Sequence, residues 1–256
     1  MIDTHCHLVY ENADPEPAIA RAREAGLKAI VTCGYPRDYG NNLGVAEKHG
    51  GFVFLTLGLH PIDIKDMSAE EVDKYLDNIR TLKDRILAVG EIGLDYHWFP
   101  LGKNVDEDGR FKDEFSKCLE LARDIGKPVV LHTRKAEQDC FDMVVSHGFG
   151  KGRVCFHCYG GGMELARRII DHGFLISLST NMDRSKNTRK IAKSFPLEQL
   201  LTETDSPFLS PVPGQKNEPA NVRLVVEQIA GLRGMPAGEV DRQTNENALK
   251  FFGLNV

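Results

Sequence analysis

The chain has 256 residues, of which 41% are hydrophobic and 27% are charged. This composition is typical of a soluble globular protein with a large core, and it excludes disordered and fibrous proteins. Its formal charge of −5 argues against a broad nucleic-acid surface, because such surfaces are usually basic. Any polyanionic substrate must therefore be held locally, for example through metal. The chain shows no secretory leader pattern and no apolar window approaching the roughly 18 residues of a membrane span, so we predict a cytoplasmic protein that contacts no membrane.

Short apolar runs rich in β-branched residues recur along the chain, and each precedes a segment with helical spacing of apolar residues. The eight runs comprise residues 1–8, 27–33, 52–59, 86–94, 128–132, 153–157, 174–178 and 200–204. Eight strand-and-helix units in about 250 residues predict a closed (β/α)8 TIM barrel, formed by residues 1–256 as a single domain. An open doubly wound sheet is the alternative, but no GxGxxG motif follows the first run to support dinucleotide binding.

Polar residues interrupt these apolar runs near their C-terminal ends. Because strands buried on both faces are apolar throughout, such interruptions are informative. In a (β/α)8 barrel the C-terminal strand ends converge on the active-site face, so residues far apart in sequence meet there. The residues at these positions are His5, His7, His60, Glu91, Asp95, His132, His157 and Asp205.

A shared metal centre explains this set better than separate structural roles, although any one of these residues alone is more often a satisfied polar group or a turn residue. His5 and His7 are two residues apart on one strand and therefore point to the same side. Six candidate ligands are too many for one catalytic ion that keeps an open position, but they suffice for two ions that share Glu91. The six are His5, His7, Glu91, His132, His157 and Asp205. Mixed imidazole and carboxylate ligation suits Zn, Mn, Fe or Mg.

The motifs around these residues resemble those of the TatD family of metal-dependent hydrolases, within the amidohydrolase-like barrel superfamily. The matching segments, in chain order, are IDTHCHL, GLHP, VGEIGLDY, PVVLHTRKA, FHC, TETDSPFLSP and NEPANV. The resemblance implies that His5, His7, Glu91 and Asp205 hold one divalent ion and that Glu91, His132 and His157 hold the second. It also implies Mg-dependent deoxyribonuclease activity of the 3′-to-5′ exonuclease type, with DNA as the partner; Zn and Mn are the other candidate metals.

Catalytic roles follow for three of these residues in phosphodiester hydrolysis. Glu91 bridges the ions, and Asp205 binds metal and accepts a proton from the attacking water. His60 orients the phosphate or protonates the leaving oxygen. A metal-activated water would equally serve hydrolysis at a carbonyl centre, such as an amide, a lactone or an aminoacyl-tRNA ester, and a barrel that binds metal without turnover is the third interpretation.

Further candidates lie close to the predicted ligands. Arg134 and Lys135 directly follow His132 and are candidates for binding a substrate phosphate. Asp3 precedes His5 by two residues, so we expect it to contact a ligating imidazole from behind. Trp98 and Phe99 follow the fourth strand, where they either cover the barrel rim or stack on a terminal base.

Overall fold

The computed structural model describes residues 1–100 and 105–255 and shows one eight-stranded sheet whose strands run parallel in sequence order. The strands are β1 (Ile2–Cys6), β2 (Ala29–Gly34), β3 (Val53–Leu57), β4 (Val89–Gly93), β5 (Val129–His132), β6 (Val154–Phe156), β7 (Leu175–Leu178) and β8 (Leu200–Thr202). Seven lie within the apolar runs identified in the sequence, and β2 extends one residue beyond its run, to Gly34. The predicted (β/α)8 barrel is therefore confirmed.

The sheet closes between β1 and the chain that follows β8. The Asp205 amide donates to the His5 carbonyl at 3.0 Å, and the His7 amide donates to the Ser206 carbonyl at 2.7 Å. The Thr4 hydroxyl donates to a carbonyl of β8 at 3.0 Å. Since an open sheet would leave these edge groups without partners, the doubly wound alternative is wrong.

Helices surround the barrel, and some carry the sequence signals that begin or end a helix. They are α1 (Glu16–Glu24), α2 (Tyr39–Lys48), α3 (Pro61–Asp66), α4 (Ala69–Thr81), α5 (Val105–Asp124), α6 (Glu137–Ser146), α7 (Met163–Asp171), α8 (Lys186–Ser194), α9 (Val222–Arg233) and α10 (Ala237–Phe252). Ser68 and Glu71 form a reciprocal capping box at the start of α4, and Gly234 ends α9 in the left-handed conformation. Within the described residues, no helix has the length and apolarity needed to cross a bilayer.

One end of the barrel interior is packed with apolar side chains. Ile2, Val31, Val130 and Leu201 form a buried cluster here, onto which Phe251 of α10 packs. These side chains come from the starts and middles of their strands, so they fill the N-terminal half of the barrel. The candidate ligands lie beyond this apolar cluster, toward the C-terminal ends of the strands.

Candidate metal centre

Glu91 lies at the centre of the polar cluster, and its two carboxylate oxygens face different imidazoles. Oε1 lies 2.9 Å from His132 Nδ1 and 2.9 Å from His157 Nε2. Oε2 lies 3.6 Å from His5 Nε2 and accepts a hydrogen bond of 2.7 Å from the Tyr35 hydroxyl. One carboxylate thus joins two groups of potential ligands, as expected of a bridging residue.

The first group converges beside Oε2 of Glu91. His5 Nε2 lies 3.3 Å from His7 Nε2 and 3.7 Å from Asp205 Oδ1, and His7 Nε2 lies 3.3 Å from the same oxygen of Asp205. Two imidazole nitrogens and two carboxylate oxygens therefore point into one small space. The motif resemblance implied that these four side chains hold one ion, and this assignment stays a prediction.

Two glycines allow the backbone to approach the cluster closely. A β-carbon on Gly58, in the GLHP motif, would lie 2.4 Å from the carbonyl oxygen of Glu91. Gly93, in the GEIG motif, has φ of 144°, and a β-carbon there would lie 2.0 Å from the carbonyl oxygen of His132. Any other residue would push β4 away from β3 or β5, so both glycines maintain the positions of Glu91 and His132.

Two of the imidazoles are held from behind by a second carboxylate. His157 Nδ1 lies 3.1 Å from Glu203 Oε1, and the Ser177 hydroxyl donates to the other oxygen of Glu203 at 2.6 Å. His132 Nε2 lies 2.8 Å from Asp95 Oδ2. Such carboxylate contacts fix the tautomer and the ring orientation of metal-ligating histidines. The sequence analysis missed Glu203, which follows β8 directly and precedes Asp205 by two residues.

His60 lies above the second group at the N-terminus of α3. Its Nδ1 accepts the Ile62 amide at 3.0 Å, which leaves Nε2 as the donor of the neutral ring. Its ring centroid is 4.3 Å from that of His132. Burial and the neighbouring His132 lower the pKa of His60 to about 3, so the imidazole is neutral near pH 7.

The electrostatics of the cluster favour an ionised Glu91, a neutral His5, and a proton on His132 and His157. Burial opposes protonation of these two imidazoles, but the neighbouring carboxylates outweigh it: Asp95 and Glu91 raise the pKa of His132, and Glu203 and Glu91 raise the pKa of His157. Burial opposes ionisation of Glu91, but the His157, His132 and His5 imidazoles outweigh it and hold its pKa well below the usual range. Burial, reinforced by the positive charge of His157, lowers the pKa of His5 well below its ordinary value. A neutral imidazole beside a carboxylate is the form that ligates a cation.

The donor set suits divalent metal ions. Three sets of potential ligand atoms each lie within 4.8 Å of one another: His5, His157 and Asp205; His5, His7 and Glu91; and His60, Glu91 and His132. Within the described residues, His7 Nδ1 is buried without a hydrogen-bond partner, while His7 Nε2 is the ring atom that faces His5 and Asp205. Imidazole with carboxylate oxygen is a donor combination that suits Zn, Mn, Fe or Mg, and the residues therefore fit a divalent metal centre.

The outlying candidates lie in different environments. The Asp3 carboxylate accepts hydrogen bonds from the Thr204 amide at 2.9 Å and the Thr204 hydroxyl at 2.6 Å, so it joins β1 to the chain after β8 rather than contacting an imidazole. The register of β1 shifts between Asp3 and Cys6, and simple alternation therefore does not place Asp3 beside the ligands. Arg134 lines the cavity, whereas Lys135 is exposed and not among its lining residues.

The cluster lies at the base of an open cavity of about 590 Å³. Arg37, which the sequence analysis did not single out, lines this cavity and pairs with Asp63 at 2.8 Å. Tyr10, Trp98 and Phe208 supply aromatic surface to the wall. The cavity thus combines metal-ligating groups at its base with arginines and aromatic rings around them.

A (β/α)8 barrel with imidazoles and carboxylates gathered at its C-terminal strand ends is the architecture of a metal-dependent hydrolase. The sequence profile of the TatD related DNase family matches residues 2–253, and the chain belongs to this family.

Similar proteins cover almost the whole chain. An uncharacterized metal-dependent hydrolase from Methanocaldococcus jannaschii is 38% identical over 255 residues, covering 98% of this chain and 96% of the relative. The human protein named deoxyribonuclease TATDN3 is 30% identical over 263 residues, covering 98% and 94%. The crystal structure of the Escherichia coli TatD homologue YjjV superimposes with a TM-score of 0.87 at 27% identity, covering 100% of this chain and 98% of that one.

Proposed function

We propose that this protein is a deoxyribonuclease that hydrolyses DNA phosphodiester bonds with two divalent metal ions, Mg²⁺ being the working metal and Zn²⁺ or Mn²⁺ able to replace it. The observation that carries the proposal is the carboxylate of Glu91, which presents one oxygen to each of two ligand groups at the base of an open cavity. Membership of a family described as TatD related DNase, and a human relative named deoxyribonuclease, support DNA as the substrate.

The residues that would hold the ions divide into two sets, with Glu91 belonging to both. His5, His7 and Asp205 complete one set, and His132 and His157 complete the other, with His60 close to the second. When bound, the two cations lower the pKa of a coordinated water and neutralise charge on the phosphate oxygens of an in-line displacement.

The chain's own residues position the substrate and move the proton. Asp205 lies at the cavity wall with 16% of its side chain exposed, so its carboxylate can accept a proton from an attacking water. Its φ of 56° turns the carboxylate toward His5 and His7. His60 would donate its Nε2 hydrogen in a hydrogen bond to a phosphate oxygen. Of the two roles predicted from the sequence, this is orientation of the phosphate and not protonation of the leaving oxygen.

Arginine side chains on two sides of the cavity would hold phosphates next to the scissile bond. Arg134 and Arg37 both line it, and guanidinium groups recognise phosphate through paired hydrogen bonds. Lys135 would reach only a more distant phosphate. The 3′-to-5′ direction rests on the motif resemblance, and the cytoplasmic location stays a prediction of the sequence.

The test is hydrolysis of labelled single-stranded DNA by the purified protein with Mg²⁺, Mn²⁺ or Zn²⁺, alongside lactone and ester substrates. We expect mononucleotides released from the 3′ end, with loss of activity in EDTA and in Asp205→Asn. Asparagine tolerates the left-handed backbone at this position, so the variant removes the charge without distorting the loop. Asp171→Asn, an exposed change at the end of α7, is the matched control.

Two results would overturn the proposal. Turnover of esters or lactones without cleavage of DNA would assign the same centre to carbonyl chemistry. Metal binding without turnover of any substrate would favour a binding protein. Retention of DNA cleavage by Asp205→Asn would leave the nuclease function standing but remove Asp205 from the mechanism.

A further inference from the structure

Exposed apolar side chains of the described residues concentrate at the mouth of the cavity. The large hydrophobic residues with substantial exposure are Ile62, Trp98, Val145, Phe208 and Val212. Three of them, Ile62, Trp98 and Phe208, line the same cavity. A solvent-exposed apolar cluster beside a polar centre is a feature of binding surfaces, whereas isolated exposed residues need no explanation.

Trp98 and Phe208 line the cavity from opposite sides of the barrel mouth. Trp98 lies in the loop after β4 and Phe208 in the loop after β8, four strands apart in a closed barrel of eight. Because the ends of opposite strands lie on opposite sides of the barrel axis, the metal-ligand cluster lies between the two aromatic side chains. A substrate whose reactive group reaches this cluster passes between them.

Both aromatic residues are anchored to the ends of their strands. The Trp98 amide donates to the Asp95 carboxylate at 2.9 Å, and the Phe208 amide donates to the Asp205 carbonyl at 2.9 Å. Asp95 also contacts the candidate ligand His132, and Asp205 is itself a candidate ligand. Their backbone positions are therefore coupled to the geometry of the centre.

Each ring is supported by the protein and remains accessible to a ligand. The Arg134 guanidinium lies 5.5 Å from the centroid of the Trp98 ring, and the Trp98 residue is 60% exposed. Phe208 makes an edge contact with Tyr10 at 4.9 Å and keeps 42% of its surface exposed. Phe99, by contrast, packs against Phe111 with ring centroids 4.7 Å apart, so it belongs to the core rather than to the cavity wall.

We infer that Trp98 and Phe208 are two base-stacking platforms, and that they make the cavity selective for an unpaired nucleic-acid strand. The inference rests on the proposed nuclease function and specifies its substrate. Each platform takes the face of one base, on either side of the phosphate that reaches Glu91 and Asp205. Every base offers such a face, whereas bases within a duplex already stack on one another and must be extruded before a protein can use them.

Trp98 supplies a direct signal for this contact, because it is the only tryptophan in the chain. We propose titrating the Mg²⁺-loaded protein with a phosphorothioate-linked thymidine octamer, which resists cleavage, and following tryptophan fluorescence. The control ligands are an abasic octamer of the same charge and linkage, and the thymidine octamer annealed to its complement. We expect quenching by the single strand and little by either control; equal quenching by the abasic strand would overturn stacking on Trp98.

Variants test both platforms separately from the chemistry. Since one stacked base contributes about 1–3 kcal/mol, Trp98→Ala and Phe208→Ala should each weaken binding of the thymidine octamer about 5-fold to 150-fold. Binding of the abasic octamer, measured by fluorescence anisotropy, should not change. Trp98→Phe retains an aromatic face and should largely restore binding, and Val145→Ala is the control for loss of an exposed apolar residue elsewhere.

The outcomes separate this inference from the proposed function. Variants that cleave and bind single-stranded DNA as well as the unchanged protein would refute the platforms while leaving the nuclease intact. Equal affinity of the unchanged protein for single-stranded and duplex DNA would refute the selectivity. A protein that cleaves no phosphodiester in any form would instead refute the proposed function itself.

Discussion

Replacing Glu203 with glutamine tests how the protein holds the candidate metal ligand His157 without changing any of the candidate ligands. Glu203 is 1% exposed, contacts His157 Nδ1 at 3.1 Å and accepts the Ser177 hydroxyl at 2.6 Å. Glutamine has the same size and keeps an oxygen acceptor for the imidazole, while the Ser177 hydroxyl can accept from its amide. The change therefore removes a negative charge and leaves packing and hydrogen bonding in place.

The expected magnitude follows from the contact that is weakened. A hydrogen bond to a charged group contributes about 1.5–3 kcal/mol, against about 0.5–1.5 kcal/mol for a neutral one. Glu203→Gln should therefore lower divalent-ion affinity by about 1–2 kcal/mol, or roughly 5-fold to 30-fold. This agrees with the 10-fold to 100-fold losses typical of such supporting residues. Because Glu203 contacts only His157 among the candidate ligands, the set formed by Glu91, His132 and His157 should be the one weakened.

Calorimetric titration of metal-free protein with Mn²⁺ measures both affinity and stoichiometry. We expect one of two binding events to weaken, with the other unchanged. Glu198→Gln makes the same chemical change at an exposed position and should leave both events unaltered. Two binding events of unchanged affinity in Glu203→Gln would refute the argument that this carboxylate tunes His157, and a uniform loss of both would indicate a general disturbance of the barrel.

Two further predictions concern the supports of the site. Gly58→Ala should reduce metal binding in a calorimetric titration and lower the melting temperature, because the new β-carbon would meet the Glu91 backbone. The control is Gly44→Ala, in α2 with open space around it, which should slightly stabilise the protein. Equal effects of the two changes on metal binding and melting temperature would contradict this reasoning. Burial raises the pKa of Asp63 from 3.8 to about 6. The protonated carboxyl group therefore contributes its full amount to the free energy of unfolding below pH 3.8, and this contribution is lost as the pH rises through 6. Asp63→Asn should therefore gain about 2 kcal/mol relative to the unchanged protein between pH 4 and pH 7 in denaturant unfolding, whereas a pH-independent difference would refute the assigned pKa.

The sequence alone determined the barrel and the group of candidate ligands. Its eight apolar runs alternate with helical segments, and parallel strands joined in this way have few ways to bury both faces. The polar interruptions fall at C-terminal ends, so barrel closure brings them together whatever the details of the loops. For this reason the sequence was enough to predict that His5, His132 and Asp205, which are far apart in the chain, lie together at one end of the barrel. That they hold two ions stays a prediction.

Only the tertiary structure decided which side chains support the ligands and which face the substrate. Simple alternation along β1 misplaced Asp3, because a register shift in that strand cannot be read from the residues. The contact of Glu203 with His157 crosses from the end of β8 to the end of β6, and it depends on barrel closure and on the strand register. Phe99 packs into the core, whereas its neighbour Trp98 lines the cavity. Phe208 lines the same cavity from the opposite side of the barrel mouth. Local sequence encodes the period of a strand, but the direction of a loop side chain is set by what packs beneath it.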